Sequence, residues 1–236
     1  MQYLWEAFNI KTFPANTIVL VDGKYKQELS DFEDDLFDIK TSKTNTNINI
    51  KNRGKLPFHI IYVGSISGDS EISVNLVSPK TNVFITGKIN IEKPAFLKKS
   101  FQNTGNFSKI ESNFLIQNKS NFKMHINAQY KRENTGILDK TKVVAHSDSV
   151  TELSGAVIIE KGSENCESKL NFSALCASDI KSIKFIPAQY INSEPKNAEH
   201  SASIWRGTPA QIEYLRTSGL SGKEVDATLR EAFENG

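Results

Sequence analysis

Of the 236 residues, four are histidines, able to hold a metal or exchange a proton near neutral pH, and three of them have no acidic neighbour in sequence. The exception is an adjacent acid and imidazole, Glu199 and His200. Carboxylate and imidazole both ligate iron, and His200 is the candidate metal ligand of the chain. In a strand, neighbouring side chains leave on opposite faces, so Glu199 and His200 are not expected to share one ion. The plainer alternative for His200 is a hydrogen bond to a turn carbonyl near a helical junction. The other histidines carry weaker signals: His59 and His125 fall inside strand patterns and His146 just after one. None has a cysteine or histidine partner at zinc-like spacing.

The two cysteines, Cys166 and Cys176, are not spaced as a Cys-x-x-Cys pair. Alternation puts Leu170, Phe172, Ala174 and Cys176 on one strand face, which reads as a buried, inert thiol. Cys166 falls in a turn among acids, which would raise its pKa and quench it as a nucleophile. The densest acidic cluster, Asp31, Glu33, Asp34 and Asp35, reads as a solvated loop after the first strand. Acids so close in sequence do not reach the opposed geometry that glycoside cleavage needs. The chain has no Gly-x-x-x-x-Gly-Lys-Ser/Thr loop, so any ATP hydrolysis is expected to belong to a partner.

The elements that must position these residues are mostly strands. Period-two alternation recurs at Ile48/Ile50, Phe58/Ile60/Tyr62, Ile72/Val74/Leu76, Val83/Ile85, Phe122/Met124/Ile126/Ala128, Val157/Ile159 and Leu170/Phe172/Ala174. Asn-, Ser- and Gly-bearing separators lie between these runs, and Asp22-Gly23 is the one two-residue hairpin signal. Stacked coils of a β-solenoid and a Greek-key sandwich both produce this pattern. Helical periodicity enters only at the C-terminus. Thr208 with Gln211, and Ser221 with Glu224, have capping-box spacing, Pro209 suits a first helical position, and Gly219 stops the first helix. Ile212 and Leu215 with Tyr214, and Val225, Leu229, Ala232 and Phe233, form apolar stripes on two helices too short to be stable alone.

The net charge of +2, with both signs mixed along the chain, gives no footprint for nucleic acid or an anionic membrane. The absence of a long apolar run and of a signal-peptide pattern at the start leads to an expectation of a soluble, intracellular protein.

The C-terminal block, His200-Ser201-Ala202-Ser203, then residues 212–220, then Ala232-Phe233, resembles the end of the SufB/SufD family, scaffold subunits of the SUF iron–sulfur cluster assembly machine. A second segment, residues 17–25 closing on Glu28-Leu29-Ser30, looks like the SufD-type start of the family core. The resemblance implies an all-β fold, a right-handed parallel β-helix over residues 1–206, with an α-helical pair at 207–236. It implies a non-catalytic subunit in the cytoplasm or a stroma-like compartment, pairing near Glu199 and His200 with a SufB-type subunit or a second copy of itself. It also implies that the helical pair docks a SufC-like ABC-type ATPase, with Tyr214, Leu215, Gly219 and Phe233 as interface candidates. No cofactor would be held tightly, and an iron–sulfur cluster would be met only transiently in a complex. SufB-type members carry a cysteine ahead of a proline that corresponds to Pro187, and residues 179–186 contain none, which points to a SufD-like member. A carbohydrate-active or purely structural β-solenoid is the alternative.

Overall fold

The computed structural model describes residues 17–22, 24–28, 37–41, 45–50, 57–176 and 179–235. The acidic cluster at 31–35, together with Gly23 and residues 29–30 of the second family-like segment, lies outside them. The described strands begin with β1 (Thr17–Val21), β2 (Lys24–Glu28), β3 (Phe37–Thr41), β4 (Asn45–Ile50) and β5 (Phe58–Ser65). They continue as β6 (Gly68–Leu76), β7 (Asn82–Ile91), β8 (Ala95–Asn103), β9 (Lys109–Asn118) and β10 (Asn121–Tyr130). The last are β11 (Gly136–Ala145), β12 (Val150–Ile159), β13 (Glu167–Cys176), β14 (Ser182–Ile191) and β15 (Asn197–Trp205), followed by helices α1 (Pro209–Thr217) and α2 (Gly222–Asn235).

Consecutive strands from β4 onward fall in opposite sheets. One sheet runs β15-β13-β11-β9-β7-β5-β1-β2 and the other β14-β12-β10-β8-β6-β4-β3. Each strand from β4 to β13 therefore pairs in parallel with the strand two places on, as β9 does with β11 and β10 with β12. A Greek-key sandwich is antiparallel, so this connectivity decides for the parallel β-solenoid. Antiparallel pairing is confined to the N-terminal end, in β1–β2 and β3–β4. The β1–β2 turn passes through Asp22, at φ 50°, where the sequence carries its hairpin signal.

Alternation decides what is inside. In β7 and β10 every second residue is buried, including Val83, Ile85, Ile89 and Ile91, and Phe122, Met124, Ile126 and Ala128. The register stacks these positions into columns, and one column reads Tyr62, Gly87, Phe114, Thr141, Phe172. Large and small side chains take turns along it, so the rings of one coil enter space left by the next. A Cβ at Gly87 would collide with the Phe114 ring, which is why that position has none.

The interior also encloses an ion pair. Lys99 on β8 is 0% exposed and donates through Nζ to Asp139 Oδ1 at 2.5 Å and Thr141 Oγ1 at 3.1 Å. Thr141 in turn donates to Asp139 Oδ2 at 2.9 Å, and the ammonium lies 4.1 Å from the Phe114 ring centroid. Burial pulls the Lys99 pKa below its ordinary value, and Asp139 opposes that pull. Both residues occupy inward phases of their strands, so the polarity of the side chain yields to the periodicity of the backbone.

Corners stack as well as strands. Lys80, Phe107, Asn134 and Asn165 each stand two residues before a strand of the first sheet with φ between 55° and 60°. Asparagine suits that left-handed conformation, whereas lysine and phenylalanine adopt it because the coil path demands it. The amides of Lys80, Asn134 and Asn165 donate to carbonyls of the next coil, which ties one corner to another.

Candidate functional site at the open end

The solenoid ends on β14 and β15, the outermost strands of their sheets. No described coil lies beyond them, so each presents an edge and an inward face. Ile183, Phe185, Pro187, Gln189 and Ile191 hold the inward register of β14, and Ala198, His200, Ala202 and Ile204 that of β15. Phe185 still packs on Phe172, with ring centroids 5.9 Å apart. Ile191 and Ile204 are exposed, as are Ile186, Tyr190 and Trp205 on the outer faces. The Gln189 Nε2 donor is buried without a hydrogen-bond partner among the described residues. Apolar surface of this kind beside sheet edges is what a pairing surface offers.

His200 stands in register with buried Leu170, at the mouth of the interior, and is exposed. Glu199 leaves on the other face. Its carboxylate accepts from Asn197 Nδ2 at 2.8 Å and lies 3.3 Å from Lys169 Nζ. The Asn197 hydrogen bond, reinforced by Lys169, holds the Glu199 pKa below the ordinary carboxylate value. Imidazole and carboxylate thus belong to different surfaces, one axial and one lateral. Among the described residues no group of three or more His, Cys, Asp or Glu side chains is arranged to hold a metal ion. Pro187 on β14 pairs with Gly155 on β12, in the sheet that does not contain His200.

The cysteines lie elsewhere and are not bonded to each other. Cys176 is buried at the inner face of β13, and burial raises its pKa while Arg206 opposes. Cys166 has the raised pKa expected of it, but for a different leading reason: it is fully buried just before β13, with Sγ 3.3 Å from Thr135 Oγ1. Its pKa is raised chiefly by that burial, and the neighbouring Glu164 adds little.

Beyond β15 the chain turns through Gly207, packed against Leu229 and Ile212, into α1. Gln211 N donates to Thr208 Oγ1 at 3.2 Å and Thr208 N to Gln211 Oε1 at 3.0 Å, which completes a capping box ahead of Pro209. Gly219, at φ 93°, and Leu220 return their amides to Arg216 and Leu215 and close the helix. At α2 only the return half of a box forms: Ser221 N and Oγ both donate to Glu224 Oε2 at 2.7 Å.

The helical pair touches the solenoid sparingly. α1 has no buried residue, and in α2 only Val225 is buried. Tyr214 is 71% exposed, Leu215 is half-buried and Gly219 is exposed. Phe233 is half-buried against its own solenoid, where Lys142 Nζ lies 5.4 Å from the ring centroid. The same ammonium donates to the carbonyls of Phe233, at 2.7 Å, and Glu234, at 3.1 Å, while Gln117 Nε2 donates to Glu234 Oε1 at 2.7 Å. A cation on the last carbonyls of a helix complements its dipole, so β9 and β11 hold the far end of α2. A cleft of about 1240 Å³ runs between the helices and the chain leading to them, lined by Arg206, Ile212, Arg216, Val225 and Leu229 among others.

Sequence reasoning overlooked Lys142, Gln117 and Trp205. Lys142 and Gln117 lie on outward phases of their strands, but nothing local says that a helix more than ninety residues later returns to them.

The class defined here is a parallel β-solenoid that opens at its last coil and carries a lightly attached helical pair. Residues 80–233 match the family described as SUF system FeS cluster assembly, SufBD core domain. The chain therefore belongs to the SufBD core-domain family, scaffold-type components of the SUF system, and its role lies in iron–sulfur cluster assembly. The match extends through the middle of the chain as well as its end, while the segment at 17–30 lies outside it. No curated protein matches the chain. No helix among the described residues is long and apolar enough to cross a membrane.

Proposed function

We propose that the chain is a non-catalytic, SufD-like scaffold subunit that binds a SufC-like ABC-type ATPase and joins a SufB-type subunit or a second copy of itself. One observation carries this reading: the helical pair keeps Val225 as its only buried side chain and leaves Tyr214 71% exposed. Helices so short gain most of their stability from packing, and here a partner groove supplies it. The natural division places residues 1–206 in the core and 207–236 in the docking segment. Tyr214, Leu215 and Gly219 lie on the accessible side, and Phe233 contributes from the edge it shares with Lys142. The ATPase supplies hydrolysis, and its movement passes through the helices to the last coil.

The second contact is the open coil. Exposed edges of β14 and β15 with Ile191 and Ile204 between them suit pairing with another solenoid end, and His200 faces into that junction. An iron–sulfur cluster is cargo met there transiently, with His200 as the ligand from this chain. The lack of a cysteine at 179–186 favours the SufD-like role. A soluble cytoplasmic or stroma-like setting fits this assignment.

Co-expression with the ATPase, followed by sizing of the complex, tests the docking claim. Tyr214→Asp and Leu215→Asp should each weaken the complex by about 2 kcal/mol or more while the isolated chain melts as wild type. Undiminished binding by these variants and by Phe233→Asp would remove the docking claim. For the junction, Ile204→Arg should abolish pairing with the second copy or with a co-expressed SufB-type subunit, and an assembly state identical to wild type both alone and with that subunit would refute the pairing.

A further inference from the structure

Between the outer face of the first sheet and the roof formed by α2 lies a cavity of about 560 Å³, within the range of about 300–1,000 Å³ typical of small-molecule sites. Its roof is Leu229, Ala232 and Phe233, and its apolar floor is Leu175 and Trp205. A polar track crosses that floor: Trp205 Nε1 donates to Ser203 Oγ at 3.2 Å, and Ser203 Oγ to Ser173 Oγ at 3.0 Å. Three cations, Lys140, Lys142 and Arg206, line the same cavity, and no lining residue is acidic. Lys140 and Lys142 leave β11 on one face two residues apart.

We infer that this cavity binds a small planar aromatic anion, its ring between Trp205 and Phe233 and its acid group toward Lys140 and Arg206. Aromatic walls favour a flat ring, and an acid-free cationic rim favours negative charge over a neutral ring of the same size. The Lys142 pKa is lowered first by burial and then by Lys140, with Glu234 opposing, which agrees with a surplus of positive charge at this wall. The site shares Phe233 with the proposed ATPase contact, but its floor and two of its cations belong to the chain's own solenoid, and its binding test is run without the ATPase, so the two readings can fail separately.

A matched pair of probes tests it on the full chain: 8-anilinonaphthalene-1-sulfonate and its uncharged counterpart N-phenyl-1-naphthylamine, followed by their own fluorescence and by quenching of Trp205. The sulfonate should bind saturably at one site per chain, and Lys140→Gln combined with Arg206→Gln should weaken it by about tenfold while leaving the neutral probe unchanged. Lys142 stays intact in this test because it holds the end of α2. Ala232→Trp, which fills the cavity from the roof without altering its charge, should exclude both probes and decides the matter if the charge variants fold poorly. Unsaturable or multiple binding, charge variants that hold the sulfonate as wild type does, or undisturbed binding by Ala232→Trp would each overturn the proposal.

Discussion

A single column of the solenoid contrasts its middle with its end. Ile89, Ile116, Val143, Ala174 and Ile204 stand in one register, each over the last. The first four are buried, and Ile204 is 54% exposed. The residue type hardly changes along the column; what changes is whether another coil follows. The last coil is therefore an interior without a cover, and the helical pair repeats the contrast with one buried side chain in two helices. Stability should reside in the middle coils, while the end keeps apolar surface available for contacts.

The sharpest way to break this comparison is in the interior ion pair. Asp139→Leu strands the Lys99 ammonium in the core and should cost about 3–5 kcal/mol, whereas Lys99→Met together with Asp139→Leu should recover most of the loss. Urea unfolding of the two variants distinguishes them. Equal losses would mean that the pair is not coupled as its geometry requires.

Next in size is the column itself. Ile116→Ala should cost about 2–5 kcal/mol through the cavity it leaves, and Ile204→Ala should stay within about 0.5 kcal/mol in the isolated chain. If Ile204→Ala proves as damaging as Ile116→Ala, the open end is not the uncovered interior described here.

These positions also separate what the sequence disclosed from what it withheld. Alternation was enough to place Ile72, Val74, Leu76, Phe122 and Met124 inside, because burial in a strand follows phase. It could not choose between solenoid and sandwich, since both share that phase and differ in which distant strand pairs with which. The helix starts were legible because a capping box is local, and Thr208 with Gln211 forms as spaced. Lys99 and Asp139 went unread for the opposite reason: their phase says inside and their charge says outside, and only their meeting across the interior resolves the conflict. At the candidate site, the opposite facing of Glu199 and His200 follows from alternation. The seat of Phe233 on Lys142 depends on a long-range return of the chain and left no trace in sequence.

A smaller effect sharpens the contrast at α1. Thr208→Ala removes the side chain that satisfies the Gln211 amide and should cost about 1 kcal/mol. Because α1 buries no residue, the loss should show as faster amide exchange in 209–217 with the melting of the solenoid unchanged. A lowered global melting temperature would place α1 inside the cooperative unit of the coils and weaken the division between them.

The smallest effect is expected from pH, at the seam between the two regions. His146 Nε2 lies 3.0 Å from Gln117 Oε1, and Gln117 donates onward to Glu234 at the end of α2. Burial holds the His146 pKa below 6.5, and Arg230 of α2 and Lys119 push the same way against Glu92. Above 6.5 the imidazole is neutral whether folded or not, so it contributes nothing to pH dependence there. As pH falls below 6.5 the unfolded chain gains a proton that the folded chain resists, and stability declines until the folded pKa is passed. The added charge faces Arg230, so the decline should appear first as loosening of α2. Its amides should exchange faster at about pH 5.5 than at about pH 7.5, after correction for the intrinsic rate, and His146→Gln should flatten the difference. His59, lowered by burial alone and stacked on Phe84, has the same sign but sits away from α2, so it should affect the coils and not this helix. An unaltered pH dependence of α2 in His146→Gln would show that the seam is held by Lys142 and Gln117 without help from the imidazole.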